Sequence, residues 1–327
     1  MDELRSTSSV MATNTALTEP FFIVGSERSG TTLLRLMLQH HPDIECAPEF
    51  EFLVEQMTPE EGYPELATYH AWLETNRIFV PHELNIDRGL SYPALVRSFL
   101  EQYCNRTGKS VRGATCHKHF DRLPRIWPEA KFVHLLRDGR DVARSCIGMG
   151  WAGNVWHGAQ GWLDAEVLWD TLARRTRTEN LYELRFEDLI KDTEGELGRL
   201  CEFLGTSYSP AMMDYERAST YSRPDPKLVE QWRKKLSPLE LGLLENRIGE
   251  RLAERGYPKC GVDSTRVGFV RRALLALQNR VFRFRFRCRR YGFAHIALAK
   301  FARCVGWETL EVQLLVKQND IDNGYIK

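Results

Sequence analysis

The sequence predicts an α/β fold, in which a central, mostly parallel sheet is flanked by helices and followed by a basic helical C-terminal extension. Two observations support this prediction. Short apolar segments alternate with amphipathic ones, and a chain of 327 residues that is 43% hydrophobic can bury a sizeable core. Polar residues follow each strand candidate, where parallel sheets bind their ligands. The strand candidates are Phe21–Val24, Val111–His117, Lys131–Leu136 and Asn180–Phe186.

The first strand candidate runs into a loop that has the outline of a phosphate-binding P-loop without its lysine. Residues 21–32 read FFIVGSERSGTT, and Gly25, Gly30 and Thr32 fit the spacing GxxxxGK[ST]. Thr31 stands where the lysine should be. In nucleoside triphosphatases that lysine reaches the β- and γ-phosphates, so the loop is not typical of a triphosphate site. The strand, loop and helix order still favours a P-loop NTPase-like three-layer sandwich.

The same loop keeps several groups that can bind a shorter anion. A helix predicted over Thr31–His40 directs the positive end of its dipole at the loop, and Arg28 can add a forked contact. The alternative is an ordinary strand-to-helix turn in which Gly30 relieves a tight φ angle. The candidate anion-binding residues of the loop are Arg28, Ser29, Gly30, Thr31 and Thr32.

A second candidate anion site follows the strand at Lys131–Leu136. Arg137 comes directly after the apolar run, Asp141 is a candidate helix N-cap, and Ser145 lies about one turn further along. Arginine and a hydroxyl at this spacing can bind a phosphate. The alternative is a solvated turn of Arg–Asp pairs. Two anion sites on one sheet favour a ligand with phosphate-like groups at both ends.

Composition restricts the function classes. A formal net charge of +1 gives no nucleic-acid signature, and no apolar run reaches the roughly 18 residues of a membrane span. Residues 1–19 are predicted to be a disordered lead-in rather than a signal peptide. The eight cysteines form no CxxC pair, which favours reduced thiols and a cytoplasmic location. No metal-ligand cluster is visible.

The C-terminal part differs in composition from the rest. Ser264–Trp307 holds eleven Lys and Arg residues and no Asp or Glu. The alternation of Phe and Arg over 282–287 is typical of a strand, whereas the flanking segments 270–281 and 294–305 predict helices.

A domain boundary is therefore placed near Gly261, with a main domain over 20–260 and a basic extension over 261–327. The extension is open to two interpretations. It either lies on an anionic membrane surface, or packs on the acidic main domain at a homodimer interface.

The two candidate anion sites resemble motifs of one family. GSERSGTTLLRLMLQHHPDI, over residues 25–44, resembles the 5′-phosphosulfate loop of sulfotransferases. RDGRDVARS, over 137–145, resembles their 3′-phosphate motif. The similarity extends from about Pro20 to Pro258 and is nearest to tyrosylprotein sulfotransferases and related bacterial enzymes. It implies that PAPS (3′-phosphoadenosine 5′-phosphosulfate) is the co-substrate, with Arg137 and Ser145 at its 3′-phosphate and the first loop at its 5′ end.

The resemblance also implies a catalytic glutamate at Glu49, since a cysteine three residues earlier and an upstream HPD string both match. Pro48 and Glu51 depart from the residues that flank this position in tyrosylprotein enzymes, so the resemblance does not by itself imply peptide-tyrosine specificity. Glu51 is an alternative base. His117 and His119 are others, because histidine often abstracts protons near neutral pH.

Lys118, in the string TCHKHF, matches a family lysine and is the second candidate cation beside Arg28. The implied reaction is a metal-independent, in-line sulfuryl transfer to a hydroxyl or amine acceptor. Glycan, lipid, phenol and peptide acceptors all remain open. Two other functions remain as alternatives: an atypical P-loop small-molecule kinase, which would need Mg²⁺ and ATP, and a catalytically inactive nucleotide-binding module.

Overall fold

The fold is organised around a five-stranded sheet in which all neighbouring strands are parallel. The computed structural model describes residues 19–58 and 62–325. The strands are β1 (Phe21–Val24), β2 (Ile44–Glu49), β3 (Val111–Cys116), β4 (Lys131–Leu136) and β5 (Leu181–Arg185). Their order across the sheet is β2-β3-β1-β4-β5, so β1 lies at the centre, between β3 and β4.

Helices make up most of the remaining described residues. They are α1 (Thr31–Gln39), α2 (Leu66–Leu73), α3 (Tyr92–Cys104), α4 (Gly139–Gly148), α5 (Val155–Gly158), α6 (Gln160–Ala173), α7 (Phe186–Lys191), α8 (Thr193–Leu204), α9 (Tyr215–Ala218), α10 (Trp232–Lys235), α11 (Pro238–Glu254), α12 (Phe269–Tyr291), α13 (Phe293–Val305) and α14 (Glu308–Tyr325).

The helices cover both faces of the sheet. Phe22 and Val24 of β1 belong to a core with α2, α3 and α6, whereas Phe21 and Ile23 belong to a core with α1, α7 and α8. A strand that is buried on both faces reads as one continuous apolar run, which is why the sequence reveals β1 so clearly. The predicted three-layer α/β sandwich of the P-loop type is confirmed.

The strand predictions succeed where the strand is fully buried. β1 and β4 have the predicted bounds, and β3 ends one residue before His117. β2 is absent from the predicted strands, because IECAPE carries charged residues and Pro48. Proline is tolerated in β2 since this strand lies at the sheet edge, and the register shifts between Ala47 and Glu49.

The extension is helical as predicted, but the strand-like interpretation of residues 282–287 is wrong. These residues lie inside α12, a continuous helix of 23 residues. Phe282 and Phe286 are four residues apart and stack on one helix face, with ring centroids separated by 6.3 Å. The domain boundaries stay predictions, and residues 1–18 of the predicted lead-in lie outside the described residues.

A buried histidine connects the sheet to α6. His134 of β4 stacks on Trp169 with centroids 4.4 Å apart. Its two ring nitrogens lie 3.3 Å from a Glu166 oxygen and 3.2 Å from a Glu183 oxygen. Burial alone would lower the pKa of His134, but the two carboxylates outweigh it and raise the pKa above its ordinary value.

This arrangement predicts a pH-dependent contribution to stability. Charged His134 should stabilise the fold fully below about pH 6.5, and this contribution should disappear as the pH rises through the raised pKa. His134→Gln should lower the free energy of unfolding by about 3 kcal/mol at low pH, and by less at high pH. Urea unfolding of both proteins across this range measures the difference. If the difference in the free energy of unfolding between the two proteins does not change with pH, the prediction is contradicted.

Candidate active site at the carboxyl edge of the sheet

At two positions in the loop between β1 and α1, the backbone has a conformation that favours glycine. Gly25 and Gly30 have φ values of 138° and 99°. A Cβ atom at Gly25 would lie 2.7 Å from the Leu135 carbonyl oxygen, and one at Gly30 would overlap the Phe186 ring. Arg28, with φ of 71°, adopts the left-handed region without being glycine. Packing against β4 and α7 therefore fixes the loop.

Polar groups of this loop are positioned to receive an anion. The Ser29 hydroxyl is buried, with 1% exposure, and has no hydrogen-bond partner among the described residues. Thr31 Oγ1 lies 3.4 Å from Nε2 of His117, and Thr32 is half-buried beside it. Gly30 is the N-cap of α1 and supplies no side chain to its first-turn amides. An anion bound here would satisfy both the amides and the Ser29 hydroxyl.

The two predicted anion sites meet in space. The Arg28 side chain donates through Nε to Ser145 Oγ at 3.0 Å. Arg137 donates through Nη1 to the Arg28 carbonyl oxygen at 3.2 Å and through Nη2 to the Leu228 carbonyl oxygen at 2.8 Å. Arg137 also lies over the Phe186 ring, 4.3 Å from its centroid. The two motifs therefore form one site, since β1 and β4 are neighbours in the sheet.

The Arg137 guanidinium is a partly buried positive charge where the two motifs meet. Burial lowers the pKa of its guanidinium below the ordinary value, with Asp141 opposing the shift from 3.8 Å away. Its Nε has no hydrogen-bond partner among the residues that the structure describes. A phosphate oxygen would satisfy that donor.

The predicted N-cap at Asp141 is wrong. Asp138 caps α4, because its side chain accepts from the Arg140 amide, and the helix begins at Gly139. Asp141 lies in the first turn instead and accepts from the Trp232 amide at 2.7 Å. It thereby holds the segment before α10 against the helix that carries Ser145.

A cleft of about 460 Å³ opens beside Arg28 and Ser145. Trp151, 41% exposed, lies beside Arg28, with its ring centroid 6.0 Å from the guanidinium. No sequence pattern distinguishes Trp151 from the buried tryptophans near it. The cleft is lined by Arg28, Arg144, Ser145, Ile147, Gly148, Met149, Lys235, Leu236 and Glu240.

The two candidate glutamate bases differ in burial. Glu49 ends β2 and is half-buried at the carboxyl edge of the sheet. Glu51 is only 3% exposed, and its Oε1 accepts from the His117 amide at 3.0 Å. Burial, assisted by the Glu49 charge, raises the pKa of Glu51 to about 6, while His117 opposes the shift. Glu49 is therefore the more accessible of the two carboxylates.

Lys118 follows β3 and points a flexible cation toward the first loop. Its Nζ lies 3.5 Å from Glu27 Oε1, and its side chain is 58% exposed. Burial would lower the pKa of Lys118, but the carboxylates of Glu27, Glu51 and Glu55 outweigh it and raise the pKa. The ammonium therefore stays charged, and no sequence motif marks Glu27 as its partner.

The histidines flanking Lys118 are less suited to take a proton. His117 is buried, and its Nδ1 lies 3.0 Å from the Gly25 carbonyl oxygen while Nε2 faces Thr31. Both of its ring nitrogens are thus engaged in holding the loop. His119 has a left-handed backbone with φ of 54°, and burial lowers its pKa.

Two further properties concern the described residues as a whole. Within 19–58 and 62–325, no group of three or more His, Cys, Asp and Glu side chains could hold a metal ion. None of the helices in these ranges is both long enough and apolar enough to span a bilayer.

Comparison with known proteins identifies the family. The model of the Sulfotransferase family matches residues 20–210. The chain belongs to the sulfotransferase family. The matched residues include both candidate anion-binding regions together with Glu49 and Lys118, whereas α9–α14 follow them.

Two named sulfotransferases align with part of this chain. Protein-tyrosine sulfotransferase 2 of Gallus gallus is 26% identical over 60% of this chain and 53% of its own. Omega-hydroxy-beta-dihydromenaquinone-9 sulfotransferase Stf3 of Mycobacterium tuberculosis is 29% identical over 60% of this chain and 66% of its own. The chain thus spans about half of the first relative and two thirds of the second.

Solved sulfotransferase domains share the fold. The domain from the curacin biosynthetic pathway has a TM-score of 0.51 at 19% identity, covering 73% of this chain and 98% of that chain. The domain from the Synechococcus olefin synthase has a TM-score of 0.53 at 20% identity, covering 72% of this chain and 94% of that chain.

Proposed function

We propose that the protein is a PAPS-dependent sulfotransferase that moves a sulfuryl group to a hydroxyl acceptor. The observation that supports this most directly is the contact between Arg28 and Ser145, with Arg137 bound to the Arg28 carbonyl oxygen. These contacts bring the two candidate anion-binding regions together, beside the cleft that Arg28 and Ser145 line. A donor with an anionic group at each end fits such a pair, whereas a lone phosphate would use only one of them.

The unpartnered groups of the site match the ends of this donor. PAPS would supply the transferable sulfuryl group. The buried Ser29 hydroxyl and the first-turn amides of α1 suit its 5′ end, and the Arg137 Nε donor suits its 3′-phosphate. The residues assigned to the 5′ end are Arg28, Ser29, Gly30, Thr31 and Thr32, and those assigned to the 3′-phosphate are Arg137 and Ser145.

Three side chains carry the proposed chemistry. Glu49 takes the proton of the acceptor hydroxyl, because it is the half-buried carboxylate at the strand ends. Arg28 and Lys118 neutralise the negative charge that develops during an in-line transfer. Positive charge from these two residues makes the proposed reaction independent of a metal ion.

The proposed acceptor is a compound that carries a hydroxyl group, or an amine in its place. The relatives' names include protein tyrosine and an omega-hydroxylated dihydromenaquinone, which are hydroxyl compounds of very different size. Thr31 in place of the P-loop lysine makes a triphosphate donor, and hence a kinase, the weaker alternative.

Binding of the spent donor tests this proposal. Adenosine 3′,5′-bisphosphate should bind with micromolar affinity in titration calorimetry with EDTA present, at about −8 kcal/mol. Ser145→Ala should weaken binding about tenfold, since it removes a hydrogen bond to a charged group. Thr171→Ala is the matched control, because this hydroxyl bonds within α6, to the Val167 carbonyl oxygen.

Preference for ATP with Mg²⁺ over the bisphosphate would contradict the proposal and favour a kinase. Bisphosphate binding without transfer of labelled sulfate from PAPS to any acceptor in a panel of glycans, lipids, phenols and peptides would instead favour an inactive nucleotide-binding module.

A further inference from the structure

The exposed apolar side chains of the described residues are concentrated in the C-terminal helices. Most of the large hydrophobic residues with high exposure lie between Phe269 and Val316. The surfaces of soluble proteins seldom carry a large exposed apolar region unless that region binds another molecule. A binding partner for this region is therefore expected.

On α12 the exposed apolar residues form a single stripe. Their spacing alternates between four and three residues, which places them on one helix face. Their exposures run from 48% to 70%. The α12 stripe consists of Val270, Leu274, Leu277, Val281 and Phe284.

The opposite face of α12 fixes the direction of this stripe. Leu275 is buried in a core with α4, α5 and α11. Asn279 accepts from the Gly153 amide at 2.8 Å, and Asn154 donates to the Leu275 carbonyl oxygen at 2.8 Å. Because the opposite face of α12 packs on the domain, the α12 stripe faces away from the domain.

Arginines border the stripe on both sides. On a helical projection Arg280 and Arg287 lie along one edge and Arg285 along the other. None of the three forms an ion pair with a residue that the structure describes. The segment Ser264–Trp307 as a whole contains eleven Lys and Arg residues and no Asp or Glu. The surface is thus apolar along its centre and positive along the margins of its C-terminal half.

The stripe also borders the candidate active site. Leu274, Leu277 and Val281 line a groove of about 830 Å³ together with Ile147 and Gly148 at the end of α4. Ile147 and Gly148 also line the cleft that contains Arg28 and Ser145. The groove and the cleft therefore adjoin.

We propose that α12 and α13 form a docking surface for an anionic lipid bilayer, with the α12 stripe in the interfacial region and the flanking arginines at the headgroups. An apolar stripe bordered by cations is the chemistry that an anionic interface binds. Phe293 of α13, 67% exposed, extends the same surface, because its ring centroid lies 6.5 Å from that of Phe284.

A second copy of the chain is the competing occupant, because alternating four- and three-residue spacing is also typical of a coiled coil. Charge disfavours it. The positions that flank the stripe are basic, so two facing copies of α12 would bring arginine against arginine without an acidic partner in the segment. An anionic bilayer instead neutralises these charges.

Vesicle co-sedimentation of the full chain tests the inference. Phosphatidylcholine vesicles containing phosphatidylglycerol should sediment the protein at low salt, and pure phosphatidylcholine vesicles should not. Leu277→Asp should lower the partition coefficient about tenfold or more, on the scale of losing one buried leucine. Arg280→Ala and Arg287→Ala should each lower it about fivefold, and added salt should act in the same direction.

Val167→Asp is the matched control, since Val167 is 53% exposed on α6, away from the stripe, and should not change the partition. Unchanged bisphosphate affinity would show that the variants are folded, and the vesicle result does not depend on the proposed catalysis. Failure of the wild-type chain to sediment with anionic vesicles, or equal sedimentation of Leu277→Asp, would overturn the inference. A dimer in analytical ultracentrifugation that Leu277→Asp dissociates, without vesicle binding, would assign the stripe to a second copy.

Discussion

Glu49→Gln should lower kcat by about 10²–10⁴-fold, the scale of removing a general base. Glutamine keeps the size and hydrogen-bonding capacity of the side chain but cannot accept the acceptor's proton. Because Glu49 ends an edge strand and is half-buried, the substitution should leave the fold intact. Steady-state transfer of labelled sulfate from PAPS, measured with an acceptor identified in the panel, reports the loss.

Glu51→Gln provides the comparison. Its amide oxygen can still accept from the His117 amide, so this substitution should cost less than about tenfold in kcat if Glu51 only supports the loop. The opposite ranking would identify Glu51 as the base. In that case the wild-type kcat/KM should fall as the pH drops through about 6, the raised pKa of the buried Glu51 carboxyl, and Glu51→Gln should abolish this limb.

Arg28→Ala and Lys118→Ala should each lower kcat by at least about two orders of magnitude, the scale of losing one donor that acts in the transition state. Arg28 lies beside Ser145 and Trp151 at the cleft, and the exposed Lys118 ammonium can move to follow a developing charge. Single-turnover rates with saturating PAPS separate this loss from weaker donor binding.

Arg28→Lys tests whether charge alone suffices. It retains the cation but loses the planar guanidinium that bonds Ser145, so an intermediate rate is expected. Arg177→Ala serves as the control, because this arginine is 67% exposed and pairs with Glu129 outside the site. Near-native rates for both alanine variants would remove Arg28 and Lys118 from the mechanism.

Local sequence was sufficient to predict the parts of the fold that are buried on both faces. β1 and β4 read as uninterrupted apolar runs, and the residues that follow them could be assigned to the same sheet edge. The meeting of Arg28 with Ser145 follows from this assignment once the two strands are neighbours. Their adjacency itself is a property of the strand order, which no short motif contains.

Features that depend on distant packing could not be predicted. β2 carries Pro48 and charged residues, and it is a strand only because β3 provides a partner along the edge. The choice of Asp138 over Asp141 as the cap of α4 depends on the Trp232 amide, which lies about ninety residues away. The Arg–Phe alternation of α12 has a strand period, but Phe282 and Phe286 share one helix face that packs on the loop between α4 and α5, whereas Phe284 is exposed.

The interlocked conformation of the first loop has a kinetic consequence. Arg28 is held by its carbonyl oxygen and by its side chain, and Gly30 sits against the Phe186 ring without room for another atom. Little conformational freedom is left to lose when a nucleotide arrives, so capture needs no loop ordering. Donor analogues that differ in affinity should therefore share similar association rate constants and differ in how long they reside on the protein.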